Sequence, residues 1–105
     1  MTALIVYKNR TNVIPVNLGV DVSTDEIVSE IREGKSTAST LIATWDISFD
    51  TDGKDGKLIF RIDDSDLDDV SQKFGYMDIK RVAGGEPYPV LKNPIRVVFR
   101  NAVTS

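Results

Sequence analysis

The chain has 105 residues, of which 41% are hydrophobic and 28% charged, and its formal net charge is −3. These proportions are typical of a single globular domain, expected over residues 1–105, that buries a core without disulfides or metal. The chain has no histidine and no cysteine, so catalytic triads built on Ser-His or Cys-His are excluded. The mildly acidic charge argues against nucleic acid as the main partner. No apolar run is long enough to span a membrane, so we expect no membrane partner.

Charge is distributed unevenly along the chain. Residues 46–69 hold nine acidic and three basic residues, whereas the last 36 residues hold two acidic and six basic ones. A protein that associates with copies of itself could use such an asymmetry. A solvated surface explains it without any partner, and we favour that interpretation.

The first third of the chain contains short segments rich in β-forming residues. Residues 4–7 and 13–22 are expected to form strands. Pro15 places the second strand at a sheet edge or a bulge, because proline has no N–H to donate to a neighbour. Residues 24–33 fit two structures. Ser23 and Glu26 have the spacing of a helical capping box, while the side chains of this segment also alternate as in a strand.

The clearest strand prediction covers residues 41–49. Alternate residues, beginning with Leu41, are apolar, which is the period of a half-buried strand. Trp45 belongs to this apolar set and is expected to anchor the core between two sheets. Residues 50–56 contain two Asp-Gly pairs, which predict a hairpin connection to a returning strand over residues 57–62.

The rest of the chain predicts one crossover followed by short strands. Leu67 and Val70 have the spacing i, i+3 in a polar segment, which predicts at most one short helical turn crossing between sheets. Strands are expected near residues 77–82, 88–91 and 95–100. About seven strands, with turn signals roughly every 8–12 residues, predict an all-β antiparallel β-sandwich.

Two acidic segments raise the question of a metal site. With Asp50 as position 1 of an EF-hand loop, positions 5, 6 and 12 would be Lys54, Asp55 and Arg61, and none of them fits. We therefore interpret residues 50–56 as a hairpin turn. The aspartates within residues 63–69 are interpreted as a solvated crossover, although such a cluster could hold calcium. We expect no catalytic residue, no metal and no cofactor, because the carboxylates have no aromatic platform or cleft beside them.

Eight residues are candidates for contacts with other proteins. Three are apolar residues expected on otherwise polar strand faces, where they could form one patch or be scattered single exposures. Three are arginines expected to point outward from neighbouring strands, where they could pair with aspartates of another copy or within their own sheet. Two are tyrosines expected at the surface. These candidates are Ile42, Ile59 and Val98, then Arg61, Arg96 and Arg100, and finally Tyr76 and Tyr88.

Residues 55–62 (DGKLIFRI), 77–79 (MDI) and 95–104 (IRVVFRNAVT) form a pattern that covers the second half of the chain. This pattern resembles small phage and prophage structural proteins with an immunoglobulin-like β-sandwich, in the style of the N-terminal domain of phage baseplate upper proteins. Residues 21–24 (DVST) resemble the polar turn that precedes a strand in that family, which favours a strand over residues 25–33. Gly75 stands where relatives usually carry a tyrosine, and Ile95 stands where they often carry a glycine, so the resemblance implies different packing at that end.

The resemblance implies a non-catalytic structural or adaptor protein of a virion, baseplate or tail. Its partners would be other virion structural proteins and further copies of itself, and its location would be the virion, assembled in the bacterial host cytoplasm. The alternative function is a carbohydrate or cell-surface binding module, which would need Tyr76, Tyr88 or Trp45 on the surface. A metal-dependent enzyme that uses the aspartate cluster is the third hypothesis.

Overall fold

The computed structural model describes residues 3–36, 38–91 and 93–101, and in these ranges the chain forms two β-sheets around one core. Residues 102–104, which belong to the segment that carries the family resemblance, lie outside the described residues. Nine strands and one 3₁₀ helix are found in the described ranges. They are β1 (Leu4–Tyr7), β2 (Asn12–Asn17), β3 (Glu26–Arg32), β4 (Leu41–Thr44), β5 (Asp46–Phe49), β6 (Lys57–Ile62), the 3₁₀ helix (Asp64–Leu67), β7 (Phe74–Ala83), β8 (Glu86–Pro89) and β9 (Ile95–Arg100).

The two sheets have the strand order of an immunoglobulin-like sandwich. The larger sheet runs β1-β9-β7-β3-β4, with β8 paired to β7, and the smaller sheet runs β2-β6-β5. Lettering β2, β3, β5, β6, β7 and β9 as B, C, D, E, F and G reproduces the B-E-D and C-F-G pairings of that fold. The predicted all-β sandwich is therefore confirmed. Its strand count is higher than expected, and β1 pairs with β9 in parallel rather than antiparallel.

The core lies between the sheets and receives side chains from both of them. The larger sheet supplies Val6, Ile31, Ala43, Met77, Ile79, Val97 and Phe99, while the smaller sheet supplies Leu58, Phe60 and Ile62. Connecting segments add Val22, Trp45 and Leu67. Each large apolar side chain buried in this way stabilises the fold by about 1.5–3 kcal/mol relative to its exposure to water.

The segment expected to be one strand over residues 41–49 is two strands in different sheets. The backbone N–H of Trp45 donates to the carbonyl of Ser29 at 2.9 Å, and this is the last hydrogen bond on the larger sheet before β5 joins β6. The Trp45 side chain is only 3% exposed, and its ring centroid lies 6.0 Å from that of Phe60. The prediction that Trp45 anchors the core is confirmed, whereas the single strand is wrong.

Several local predictions are confirmed. Residues 26–32 form a strand, paired along their whole length with β7. Pro15 lies in β2, which is an edge strand of the smaller sheet. The crossover contains a single turn of 3₁₀ helix in which Leu67 is buried, and Val70 packs against the core. No helix of the described residues is long and apolar enough to cross a membrane.

The Asp-Gly hairpin is held against the segment that follows β2. The N–H of Leu18 donates to the carbonyl of Gly56 at 2.9 Å, and the N–H of Val22 donates to that of Gly53 at 2.9 Å. Gly56 has φ +76°, which favours glycine. A Cβ on Gly56 would lie 2.5 Å from the carbonyl oxygen of Val20, so this position excludes any side chain for a second, steric reason.

We expect Gly56→Ala to destabilise the protein by about 3 kcal/mol or more, because it adds a backbone clash to the cost of a left-handed conformation. Gly85→Ala is the matched control. Gly85 also has a positive φ, +82°, but its Cβ would meet nothing within 4 Å, so its expected cost is about 1–2 kcal/mol. Urea unfolding followed by Trp45 fluorescence measures both values. If the two variants lose the same free energy of unfolding, the close packing of the hairpin against residues 18–22 at Gly56 would be contradicted.

Candidate functional site

A row of apolar side chains crosses the outer face of the larger sheet. Ile5 in β1 lies opposite Val98 in β9, and Val98 lies opposite Phe74 in β7. Because residues directly opposite each other share a sheet face, the three side chains form one line across three strands. Ile5 is 36% exposed and Phe74 is 48% exposed, while Val98 is half-buried between them. We call Ile5, Val98 and Phe74 the apolar row.

Cationic and aromatic side chains border the apolar row on the same face. The guanidinium carbon of Arg96 lies 5.1 Å from the ring centroid of Phe74. Tyr76 lies opposite Arg96, and the Nζ of Lys35 lies 5.4 Å from the Tyr76 ring centroid. On the other side of the row, Arg100 is exposed and lies opposite Tyr7. Aromatic and arginine side chains around an apolar centre are the composition that protein interfaces favour.

The structure brings half of the predicted contact residues onto this one face, namely Tyr76, Arg96, Val98 and Arg100. Ile59 and Arg61 lie instead in β6, which belongs to the smaller sheet. Of the two alternatives for Ile42, Ile59 and Val98, a single patch is ruled out, because the residues lie in strands of different sheets. For the same reason Arg61 does not neighbour Arg96 and Arg100. Whether any of these residues contacts a partner stays a prediction.

Ile42 does not point outward as expected. The pairing of β3 with β4 shifts register between Ile31 and Arg32, so β4 contributes one extra residue at this point. Ile42 is half-buried and packs against the core. A Cβ placed on Gly75 would lie 2.9 Å from the Cδ1 of Ile42. The missing side chain of Gly75 thus makes the space that Ile42 fills.

Three candidates remain. Ile59 is half-buried in β6, whereas Arg61 and Tyr88 are exposed and differ in their surroundings. The Nε of Arg61 lies 2.8 Å from Oδ1 of Asp63, so the pairing of Arg61 within its own chain is the arrangement seen. Both side chains are about half exposed, so this ion pair contributes little to stability. Tyr88 is 52% exposed in β8 and borders a cleft of about 330 Å³ with Lys80 and Leu91.

Sequence reasoning missed Ile5 and Phe74. Phe74 alternates with Tyr76, so extending the strand prediction back from residue 77 would have placed it on the outer face. Ile5 carried no comparable local signal. Its position depends on the parallel pairing of β1 with β9, which joins residues more than 90 positions apart.

The aspartates of the acidic hairpin stabilise its turns. Asp52 Oδ1 accepts the N–H of Lys54 at 2.9 Å, and Asp55 Oδ1 accepts the N–H of Lys57 at 3.0 Å. Such local side-chain to backbone bonds are typical of turn aspartates. Within residues 3–36, 38–91 and 93–101, no group of three or more acidic side chains is placed to hold a metal ion.

The pKa values of two aspartates are lowered by these turn bonds. Asp21 Oδ1 accepts the backbone N–H of Ser23 at 2.9 Å and its hydroxyl at 2.7 Å, and these two bonds, the backbone one first, lower the Asp21 pKa. The backbone N–H of Lys57 lowers the pKa of Asp55 in the same way. Each bond favours the ionised carboxylate.

We expect both carboxylates to titrate below the ordinary value of 3.8. A depressed folded pKa contributes stability above the unfolded value, and that stability is lost as the pH falls through the folded value. Ser23→Ala removes one of the two bonds to Asp21, so its pKa should rise toward 3.8, while the pKa of Asp55 should stay fixed as an internal control. Carboxyl carbon NMR titration measures both groups, and a parallel rise at Asp55 would contradict the assignment.

Comparison with protein-family models and with curated proteins finds no match to this chain. The resemblance to phage structural proteins therefore stays a prediction from the residues that carry it.

Proposed function

We propose that the protein is a non-catalytic structural or adaptor module of a phage virion or tail, which acts by assembly with other virion proteins and with copies of itself. The observation that carries the assembly part is the apolar row Ile5–Val98–Phe74 on the outer face of the larger sheet. The virion context comes from the resemblance alone. The lack of histidine and cysteine in the chain supports the non-catalytic part.

The physics of the apolar row favours association. The apolar row continues across three strands, so one partner surface can cover all of it and exclude water from it. Removing its area from water is worth about 25 cal/mol per Å². Arg96, stacked on Phe74, adds planar donors that can bind carboxylates of the partner. The acidic residues 46–69 supply such carboxylates on a second copy.

We expect the double variant Ile5→Ser, Phe74→Ser to weaken self-association by at least about tenfold, because it removes the two exposed ends of the row. Val13→Ser is the matched control. Val13 is 52% exposed but lies in β2 of the smaller sheet, so its loss should leave association unchanged. Sedimentation velocity over a concentration series, at low and high salt, measures the effect.

A strict monomer that binds no virion protein would contradict the proposal. Equal weakening by Val13→Ser would show that the row is not the contact. The genes that flank the coding sequence test the virion part separately. Portal, capsid or tail genes are expected, and a metabolic operon would overturn that part.

Carbohydrate binding is the second candidate function. Tyr88 is the exposed tyrosine that this function needs, and it lies between Pro87 and Pro89 at the edge of the 330 Å³ cleft. A rigid tyrosine beside a shallow cleft provides an apolar face on which a sugar ring can stack. Trp45, by contrast, is buried, so a sugar ring cannot stack on it.

If the protein binds carbohydrate, Tyr88→Ala should abolish its signals on a glycan array, because the stacking face is lost. Phe74→Ala is the control, since Phe74 is similarly exposed but lies away from the cleft residues. An array without any signal, in the presence and absence of calcium, would remove this candidate.

A further inference from the structure

A groove opens along one side of the sandwich, on a surface distinct from the apolar row. It has a volume of about 540 Å³ and is lined by residues 25–28, at the start of β3, and by residues 44–49, which include β5. The groove exists because β4 pairs with β3 only over residues 30–32 of β3. Beyond Thr44 the chain leaves the larger sheet, and the first half of β3 has no neighbour on that side among the described strands.

Two strand edges border this groove, and each has backbone groups that no strand of the described residues pairs. The N–H of Asp50 donates to the carbonyl of Lys57 at 3.0 Å, so the backbone groups of Asp50 face β6. Along an antiparallel strand, the backbone groups of successive residues point alternately toward and away from the paired strand. The N–H and C=O groups of Ile47 and Phe49 therefore point away from β6, at the free edge of β5. In β3 the carbonyl of Ser29 faces β4, so the backbone groups of Ile27 face the same open side.

The floor and rim of the groove differ in chemistry. Ile27 and Ile47 are half-buried and pack against the core. Trp45 also lines the groove, and its buried indole N–H has no acceptor among the described residues. Among the described residues, three acidic residues and no basic residue line the groove. Asp25 is paired with Arg81 at 2.5 Å, whereas Glu26 and Asp46 are exposed and form no ion pair within the described chain. Arg61 lies opposite Asp46 in β6, but its guanidinium is bound to Asp63.

We infer that this groove binds an extended segment of a partner protein in which apolar residues alternate with lysine or arginine, and that the segment adds a strand to β5. Strand addition uses free backbone groups for affinity and alternate side chains for specificity. β5 offers two such residues, Ile47 and Phe49, and β3 offers only Ile27. One set of alternate side chains of the segment would pack on Ile27 and Ile47, and the other would point outward beside Asp46, while Glu26 lies on the opposite rim of the groove.

The charge of the rim decides the chemistry of the occupant. An acidic segment would bring its carboxylates close to those of Glu26 and Asp46, where like charges repel. A basic segment gains from the same two carboxylates, and its affinity should fall as salt is added. This inference adds a second contact to the proposed assembly function, but it rests on different residues and can fail or succeed by itself.

The test uses the whole protein and synthetic seven-residue peptides in which valine alternates with lysine, serine or glutamate. Trp45 is the only tryptophan of the chain and lines the groove, so its fluorescence reports binding, and calorimetry gives the affinity. We expect the lysine peptide to bind at least about tenfold more tightly than the serine peptide, and the glutamate peptide not to bind. No binding by any peptide, or equal binding by all three, would overturn the inference.

Two matched controls locate the contact. N-methylation of the lysine peptide at odd positions or at even positions blocks only one edge of the added strand, so just one of the two forms should lose binding. Loss in both forms or in neither would rule out strand pairing. The variant Glu26→Gln, Asp46→Asn should weaken binding at least fivefold, roughly one kcal/mol, whereas Glu86→Gln in β8, which does not line the groove, should not.

Two further outcomes are decisive. Ile5→Ser, Phe74→Ser should leave peptide binding unchanged, so failure here is distinguishable from failure of the assembly proposal. If Glu26→Gln, Asp46→Asn weakens self-association while the lysine peptide does not bind, a second copy fills the groove, and the assignment to a basic segment is overturned.

Discussion

The passage of the chain from the larger to the smaller sheet at Trp45 determines most of the surrounding structure. The backbone N–H of Trp45 makes the last bond to β3, while its side chain lies against Phe60 of the opposite sheet. A single buried residue thus ties both sheets together at their common edge. Because the chain must cross there, β4 ends after four residues, β5 becomes an edge strand, and the groove between β3 and β5 remains open.

The parts of the fold that depend on local chemistry could be predicted from the sequence. Asp-Gly pairs require a hairpin between β5 and β6, and the spacing of Leu67 and Val70 predicts the short helical turn. The break at Trp45 could not be predicted, because apolar alternation continues unchanged when a strand moves from one sheet to the other. The parallel pairing of β1 with β9 could not be predicted either, because it joins distant segments and neither sequence indicates which strand it pairs with.

The same division applies to the candidate site. Period-two alternation places Arg96, Val98 and Arg100 on one face of one strand, and that inference needs no knowledge of neighbours. Which residues complete the surface depends on pairing across strands, so Ile5 was missed. Ile42 was misplaced because a register shift turns it toward the core, and Gly75 leaves the space it occupies.

The parallel arrangement of β1 and β9 has a mechanical consequence. A pull applied before Leu4 and after Arg100 runs along both strands in opposite directions and loads their shared ladder in shear. All four paired positions, together with the bond from Lys8 N–H to the Arg100 carbonyl, then resist at once. The β7–β8 hairpin would instead open one bond at a time. A sandwich closed by such a pair of strands therefore resists tension applied along β1 and β9 more strongly than a sandwich closed by a hairpin.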